Sequence, residues 1–125
     1  MKSRDNLVRL KRFQVEEKRR QLNQLNQMIA EFERMATELE TQIAAEERKS
    51  GITDINHFAY PTFAKAARQR RDNLIASQSG LVDQRKAAEL LFSEAETELA
   101  KAEMLETRDG RVRDGEHEPR AAMLS

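Results

Sequence analysis

Apolar residues recur every seven positions through the first half of the chain, with polar and charged residues filling most of the positions between them. The repeating set is Val8, Val15, Leu22, Ile29, Ala36 and Ile43. A second position of the repeat holds Leu25, Phe32 and Leu39, and is interrupted by Lys11, Lys18 and Glu46. Two apolar positions per seven residues are typical of a coiled-coil seam. We therefore predict a helix over 4–49, ended by Gly51, because glycine commonly follows the last helical residue.

The second half of the chain carries a matching repeat. Its first position holds Ala67, Leu74, Leu81, Ala88, Ala95 and Ala102, the partner position holds Leu91 and Leu105, and Phe92 and Leu99 widen the apolar stripe. Pro61 suits a helix start, where its missing N–H costs no hydrogen bond. We predict a second helix over 62–107. The connection, 50–61, contains Phe58 and Tyr60, with Phe63 just beyond it.

Folding the chain back at the middle of this connection brings the two stripes together. Antiparallel partners then have residue numbers that sum to a constant, and a sum of 113 joins apolar positions along both helices. The predicted pairs are Val8–Leu105, Leu22–Leu91, Leu25–Ala88, Phe32–Leu81 and Leu39–Leu74. The predicted fold is all-α: an antiparallel two-helix coiled-coil hairpin over 1–107 with a short aromatic connection, followed by a flexible C-terminal tail over 108–125.

Composition limits the class of protein further. Apolar residues make up 38% of the chain and charged residues 35%, which is too polar for a large globular interior and too regular for disorder. There is no cysteine, and 22 basic residues balance 22 acidic ones. No apolar run approaches the roughly 18 residues that cross a bilayer, and no signal-peptide core is present. We therefore expect a cytoplasmic protein.

The sequence offers little material for catalysis. The two histidines, His57 and His117, lack a carboxylate or a second histidine at metal-ligand spacing, and no phosphate-binding glycine loop exists. We expect a protein that is not an enzyme and that binds no cofactor or metal. A basic cluster near the start could contact phosphates, but we expect it to be a solvated face that complements the acidic end of the second helix: Lys11, Arg12, Lys18, Arg19 and Arg20. Zero net charge and the absence of interleaved aromatic residues weigh against nucleic acid.

The aromatic connection leaves two interpretations open. Phe58, Tyr60 and Phe63 form either a self-packed cap or an exposed docking surface. Phe63, Ala67, Arg70 and Leu74 fall on one strip of the second helix, spaced by four, three and four residues. That strip either packs entirely on the first helix or is partly free for a partner.

Taken together, these features resemble a known family. They are Leu7 and Leu10 near the start, two charged arms of equal length, Gly51-Ile52-Thr53, the turn His57-Phe58-Ala59-Tyr60-Pro61, and Phe63 opening the second helix. The pattern over 1–107 resembles the FliJ family of bacterial flagellar type III export proteins, in particular its alphaproteobacterial branch.

The resemblance implies a function in motility without catalysis. In that family the hairpin is a stalk: the paired chain ends insert into the ring of the flagellar export ATPase, and the start of the second helix docks on the cytoplasmic domain of the export gate. Family members also bind empty export chaperones, and reach the membrane only through partners at the flagellar base. Carried over, the gate-facing residues would be Phe63, Ala67, Arg70 and Leu74 with Tyr60. The ATPase-facing residues would be Leu7, Leu10, Lys11, Phe13, Leu99 and Leu105.

Arg70 departs from the small residue that the family has at this point of the strip. A second interpretation, from a different class, is a generic scaffold that dimerises into a four-helix bundle and binds RNA through its basic N-terminal arm. The stalk interpretation predicts a monomer in solution, and the scaffold interpretation predicts a stable dimer.

Overall fold

A computed structural model describes the backbone of residues 2–124 and the side chains of Ser3 and of residues 5–110. It contains two α-helices, α1 (Lys2–Ser50) and α2 (Thr62–Leu124), joined by a short connection that includes Pro61. The helices pack against each other, and the predicted all-α helical hairpin is confirmed. Among the described residues, no helical stretch is both apolar enough and long enough to traverse a lipid bilayer.

The helix ends follow from local chemistry near the connection. Gly51 has a left-handed φ of 74°, and its N–H donates to the Glu47 carbonyl at 2.8 Å, which closes the last turn of α1. The Ser50 hydroxyl accepts a hydrogen bond from the Ile52 N–H at 3.1 Å. At the other end, α2 continues to Leu124, beyond the predicted end at Thr107. Helical hydrogen bonds are local, so a helix can continue past its last packed residue. The predicted flexibility of the tail, 108–125, concerns residues whose side chains lie mostly outside the described part.

The first helix presents the predicted seam. Five of its six first-position residues are buried, and the sixth, Leu22, is half-buried; the buried five are Val8, Val15, Ile29, Ala36 and Ile43. The second position is half-buried throughout, including Lys11 and Lys18. The aliphatic stems of these lysines can cover apolar surface while their ammonium groups reach water. The mixed composition of this position therefore does not interrupt the seam.

The second helix requires a correction. Its first seam position is as predicted, with Ala67, Leu81 and Ala102 buried. The partner position is occupied by a different set: Ala64, Arg71, Gln78, Arg85, Phe92, Leu99 and Glu106, each buried or half-buried. Leu91 and Leu105 are instead exposed, by 44% and 39%. The predicted pairs Leu22–Leu91 and Val8–Leu105 are therefore wrong. On α2 the residue four positions after each first-position residue lies in the seam, and the residue three positions after it is exposed.

Contacts divide the chain into two compact units. The turn unit is Asn23–Ala87, and the terminal unit combines Met1–Leu22 with Ala88–Ser125. Within the turn unit, Arg68 contacts Glu47 and Arg85 donates to Asn26 at 3.4 Å. Within the terminal unit, the Arg19 guanidinium lies 5.6 Å from the centroid of the Phe92 ring. The residue numbers in these contacts sum to 115, 111 and 111, on either side of the predicted 113.

Candidate docking surfaces

The connection between the helices is an ordered turn. The Asp54 side chain accepts from the Asn56 N–H at 3.0 Å, and the Asp54 carbonyl accepts from the His57 N–H at 3.1 Å. His57 accepts two further bonds at 3.0 Å, from the Ala59 N–H to its Nδ1 and from the Tyr60 N–H to its carbonyl. The Nδ1 acceptor places the proton of the neutral ring on Nε2. Side-chain acceptors within the turn thus bond to backbone N–H groups that have no partner in a helix.

Tyr60 links this turn to both helices through its hydrogen bond with Arg68. The Tyr60 hydroxyl accepts a hydrogen bond from Arg68 Nε at 2.8 Å, and Arg68 Nη2 donates to the Glu47 carboxylate at 3.1 Å. The Arg68 side chain is 25% exposed and that of Glu47 is 13% exposed. The hydrogen bond to Tyr60, reinforced by the interaction with Glu47, raises the pKa of the Arg68 guanidinium above its usual value. Tyr60 is buried, so for this residue the structure favours the cap over the exposed docking surface, the two interpretations that the sequence left open.

The other aromatic residues at the turn do not pack into this cap. Phe58 is 97% exposed, and Phe63 and Ile55 are also exposed. The Phe58 ring stacks on the His57 ring, with their centroids 4.8 Å apart and their planes 22° apart. One member of the predicted aromatic cluster is thus structural, and the remaining two present apolar surface to solvent.

The predicted strip on α2 divides between two environments. Ala67 is buried and Leu74 is half-buried, because both occupy the seam against α1. Phe63 and Arg70 are exposed. Tyr60 and Ala67 are therefore not accessible to a partner, and the docking role predicted for the strip falls to its exposed and half-buried members.

A groove between the helices includes two residues of that strip. It lies within the turn unit, has a volume of about 430 Å³, and is called the Met35 groove below. Arg70, Asn73, Leu74 and Ser77 line it from α2, and Met35, Glu38, Leu39 and Gln42 line it from α1. Leu39 and Leu74 are half-buried, whereas Met35 is exposed. The residues on the α1 side of the groove were not among the docking residues predicted from the sequence. The available signal was Met35 itself, which, with Met28, is apolar outside the seam positions of the first helix.

The second predicted surface lies in the terminal unit. Leu10 and Phe13 are exposed by 50% and 61%, as expected for residues outside the seam. Leu7, Lys11 and Leu99 are half-buried, and Leu105 is exposed. Met104, beside Leu105, is the most exposed large apolar residue described in this unit, and no role was predicted for it from the sequence. The accessible apolar members of the predicted ATPase-facing set are therefore Leu10, Phe13 and Leu105.

Within the described part of the chain, no three or more histidine, cysteine, aspartate or glutamate side chains come together as a metal ion would require. The grooves are open, and apolar or amide side chains supply much of their lining. Comparisons with protein-family models, with curated proteins and with solved structures found no match to this chain.

Proposed function

We propose that this protein is a non-catalytic stalk and adaptor of the flagellar type III export apparatus. In this proposal its two surfaces contact different partners: the turn unit binds the cytoplasmic domain of the export gate, and the terminal unit binds the export ATPase. The protein acts in the cytoplasm at the flagellar base, and empty export chaperones are further partners. The proposal takes its partners from the resemblance of the sequence to the FliJ family.

The Met35 groove is the observation that carries the proposal. Its half-buried floor, Leu39 and Leu74, offers apolar surface to an incoming side chain, and the exposed Met35 beside it can adapt its shape to a partner. Arg70 and Glu38 add one charge of each sign to the lining. Arg70 and Leu74 belong to the strip that the family resemblance assigns to the gate. A partly apolar groove with a few polar groups is a suitable docking site for a protein segment.

A binding measurement tests this proposal. Calorimetry would measure the affinity of the purified full-length chain for the cytoplasmic domain of the cognate export gate. We expect Met35→Asp and Arg70→Glu each to weaken binding at least tenfold, because they place a charge in the groove or reverse one. Ile75→Asp is the matched control, since Ile75 is exposed on α2 of the same unit and does not line the groove. Circular dichroism should show equal helicity in all three variants.

Two results would contradict the proposal. Absence of binding between the wild-type chain and both the gate domain and the export ATPase would remove the stalk function altogether. Equal weakening by Ile75→Asp and Met35→Asp would leave the stalk function standing but remove the Met35 groove as the docking site.

A generic scaffold is the second candidate, and the same groove favours it. A second copy of the chain could fill the groove with its own methionines and form a four-helix bundle, with the basic N-terminal arm binding RNA. Light scattering separates the two candidates, because the scaffold requires a stable dimer at micromolar concentration and the stalk requires a monomer. Met35→Asp should dissociate that dimer if it exists.

A further inference from the structure

Phe58 combines nearly complete exposure with a fixed position. The residue is 97% exposed, yet the turn that carries it is held by four hydrogen bonds between 3.0 and 3.1 Å. His57 connects the two properties: it accepts two of those bonds and stacks its ring on Phe58. An exposed aromatic ring on a flexible loop would lose conformational entropy on binding. A ring already held in place loses little, which is the property of a binding anchor.

The surface beside the turn has a definite charge. Ile55 lines a depression of about 240 Å³ together with Lys65, Arg68, Gln69, Arg71 and Asp72. Two of its three cations are compensated, because Arg68 pairs with Glu47 and Arg71 pairs with Asp72. No carboxylate among the residues described here pairs with Lys65, which is exposed. The depression therefore offers apolar contact at Ile55 and one uncompensated positive charge.

We propose that the 54–60 turn is a preformed docking knob, whose Phe58 ring inserts into an apolar pocket on a partner protein and whose neighbour Lys65 meets a carboxylate at the rim of that pocket. The inference does not depend on the proposed function, because it rests on the turn and specifies the partner by its chemistry. It also differs from the Met35 groove, since neither Phe58 nor Lys65 lines that groove.

The chemistry of the turn favours a protein over a lipid surface. The exposed large apolar side chains of this region are Ile55, Phe58 and Phe63, whereas membrane-surface binding uses the apolar face of a long amphipathic helix or attached lipid chains. Recognition of anionic lipid headgroups uses clusters of several basic residues, whereas the depression has one uncompensated cation. The turn also includes Asp54, whose side chain is exposed. Aromatic side chains such as Phe58 are instead enriched at protein–protein interfaces.

Site-specific photocrosslinking tests the proposal. The photoreactive amino acid p-benzoylphenylalanine would replace Phe58 in the full-length chain, produced in cells of the source organism. The matched control carries the same amino acid at Ile75, which is exposed in the same unit but lies away from the turn. We expect an adduct with one protein from position 58 only. Mass spectrometry should map the crosslink to an apolar segment with an aspartate or glutamate close by in the partner's structure.

Affinity measurements with that purified partner complete the test. Phe58→Ala and Lys65→Glu should each weaken binding at least tenfold, while circular dichroism and the unfolding midpoint remain those of the wild-type chain. The proposal is overturned if position 58 yields no adduct above the level of position 75, or if the two substitutions leave the affinity unchanged. It is also overturned if the wild-type chain, but not Phe58→Ala, sediments with vesicles of anionic phospholipid, because the turn would then bind membranes.

Discussion

Arg68 Nε donates a hydrogen bond to the Tyr60 hydroxyl over 2.8 Å, and the same guanidinium also reaches Glu47 in the last turns of α1. One side chain of α2 thereby holds the turn and the end of α1 together. The guanidinium can do this because its donors are arranged in a planar fork. The first prediction concerns this contact.

Arg68→Met should lower the free energy of unfolding by about 1–2 kcal/mol, because Glu47 and the Tyr60 hydroxyl lose their partner in a partly buried site. Urea denaturation followed by circular dichroism measures the change. Arg34→Met is the control, since the partners of Arg34 among the described residues are the exposed Glu31 and Glu38 of its own helix, and such pairs contribute about 0.5 kcal/mol or less. Equal effects of the two substitutions would contradict a special role for Arg68.

The pH dependence of this contact has a definite sign. The pKa of Arg68 is raised in the folded chain, so its contribution is fully present below the pKa of a free arginine and is lost only as the pH rises through the folded value. The difference in stability between wild type and Arg68→Met should therefore be the same at pH 6 and at pH 8. A difference that changes across this interval would indicate a second titrating partner.

Two glycines should respond oppositely to the same substitution. Gly51 has a left-handed φ of 74°, so Gly51→Ala should destabilise the hairpin by about 1 kcal/mol. Gly80 lies within α2 without a positive φ, and an added Cβ meets no atom within 4 Å. Gly80→Ala should therefore stabilise by about 1 kcal/mol, the difference in helix propensity. Thermal unfolding of both variants checks the prediction, and a shift of the same sign in both would contradict it.

The corrected seam of α2 leads to a fourth prediction, about two neighbouring residues. Phe92 is half-buried under the Arg19 guanidinium, whereas Leu91 is 44% exposed. Phe92→Ala should destabilise by about 2–3 kcal/mol and Leu91→Ala by less than about 1 kcal/mol. Urea unfolding of both variants measures the values. The reverse order would restore the seam that the sequence analysis assigned.

The sequence predicts the hairpin well because the signal is repeated many times. Each helix shows its first seam position as an unbroken series of apolar residues, and a shift by one residue would expose all of them together. The second position of α2 lacks this redundancy. It holds Arg71, Gln78, Arg85 and Glu106 beside Phe92 and Leu99, so a search for apolar residues selects Leu91 and Leu105 instead. Long polar side chains that bury only their aliphatic part give no such signal.

The candidate surfaces are predicted only in part, for a geometric reason. Leu10 and Phe13 could be predicted to be exposed because neither occupies a seam position of the seven-residue repeat. The strip from Phe63 to Leu74 is different, because its members alternate between two sides of α2. Phe63 and Arg70 lie at exposed positions, whereas Ala67 and Leu74 lie in the seam. The Met35 groove needs side chains from both helices, and a pattern read along one helix cannot show which residues of the other lie beside it.

A fifth prediction concerns the terminal unit. Leu10→Asp and Phe13→Asp should each weaken binding to the export ATPase and reduce its stimulation at least tenfold, because a charge replaces an exposed apolar contact. Leu90→Asp is the matched control, as Leu90 is equally exposed in the same unit and was not assigned to the ATPase. Enzyme-coupled ATP hydrolysis assays and pull-downs provide the measurements. Wild-type behaviour of both variants would place the ATPase contact elsewhere.

The division into two units has a consequence for the order in which the chain folds. The turn unit, Asn23–Ala87, is one continuous segment, whereas the terminal unit must bring together segments separated by the whole turn unit. Closing the longer loop costs more chain entropy, and this cost falls once the intervening segment is ordered. The hairpin should therefore nucleate at the turn, around Gly51 and Tyr60. Pairing of the two helices should then propagate from the turn towards the chain ends. The anchor that we propose for a partner would then be among the first parts of the molecule to assume its final structure.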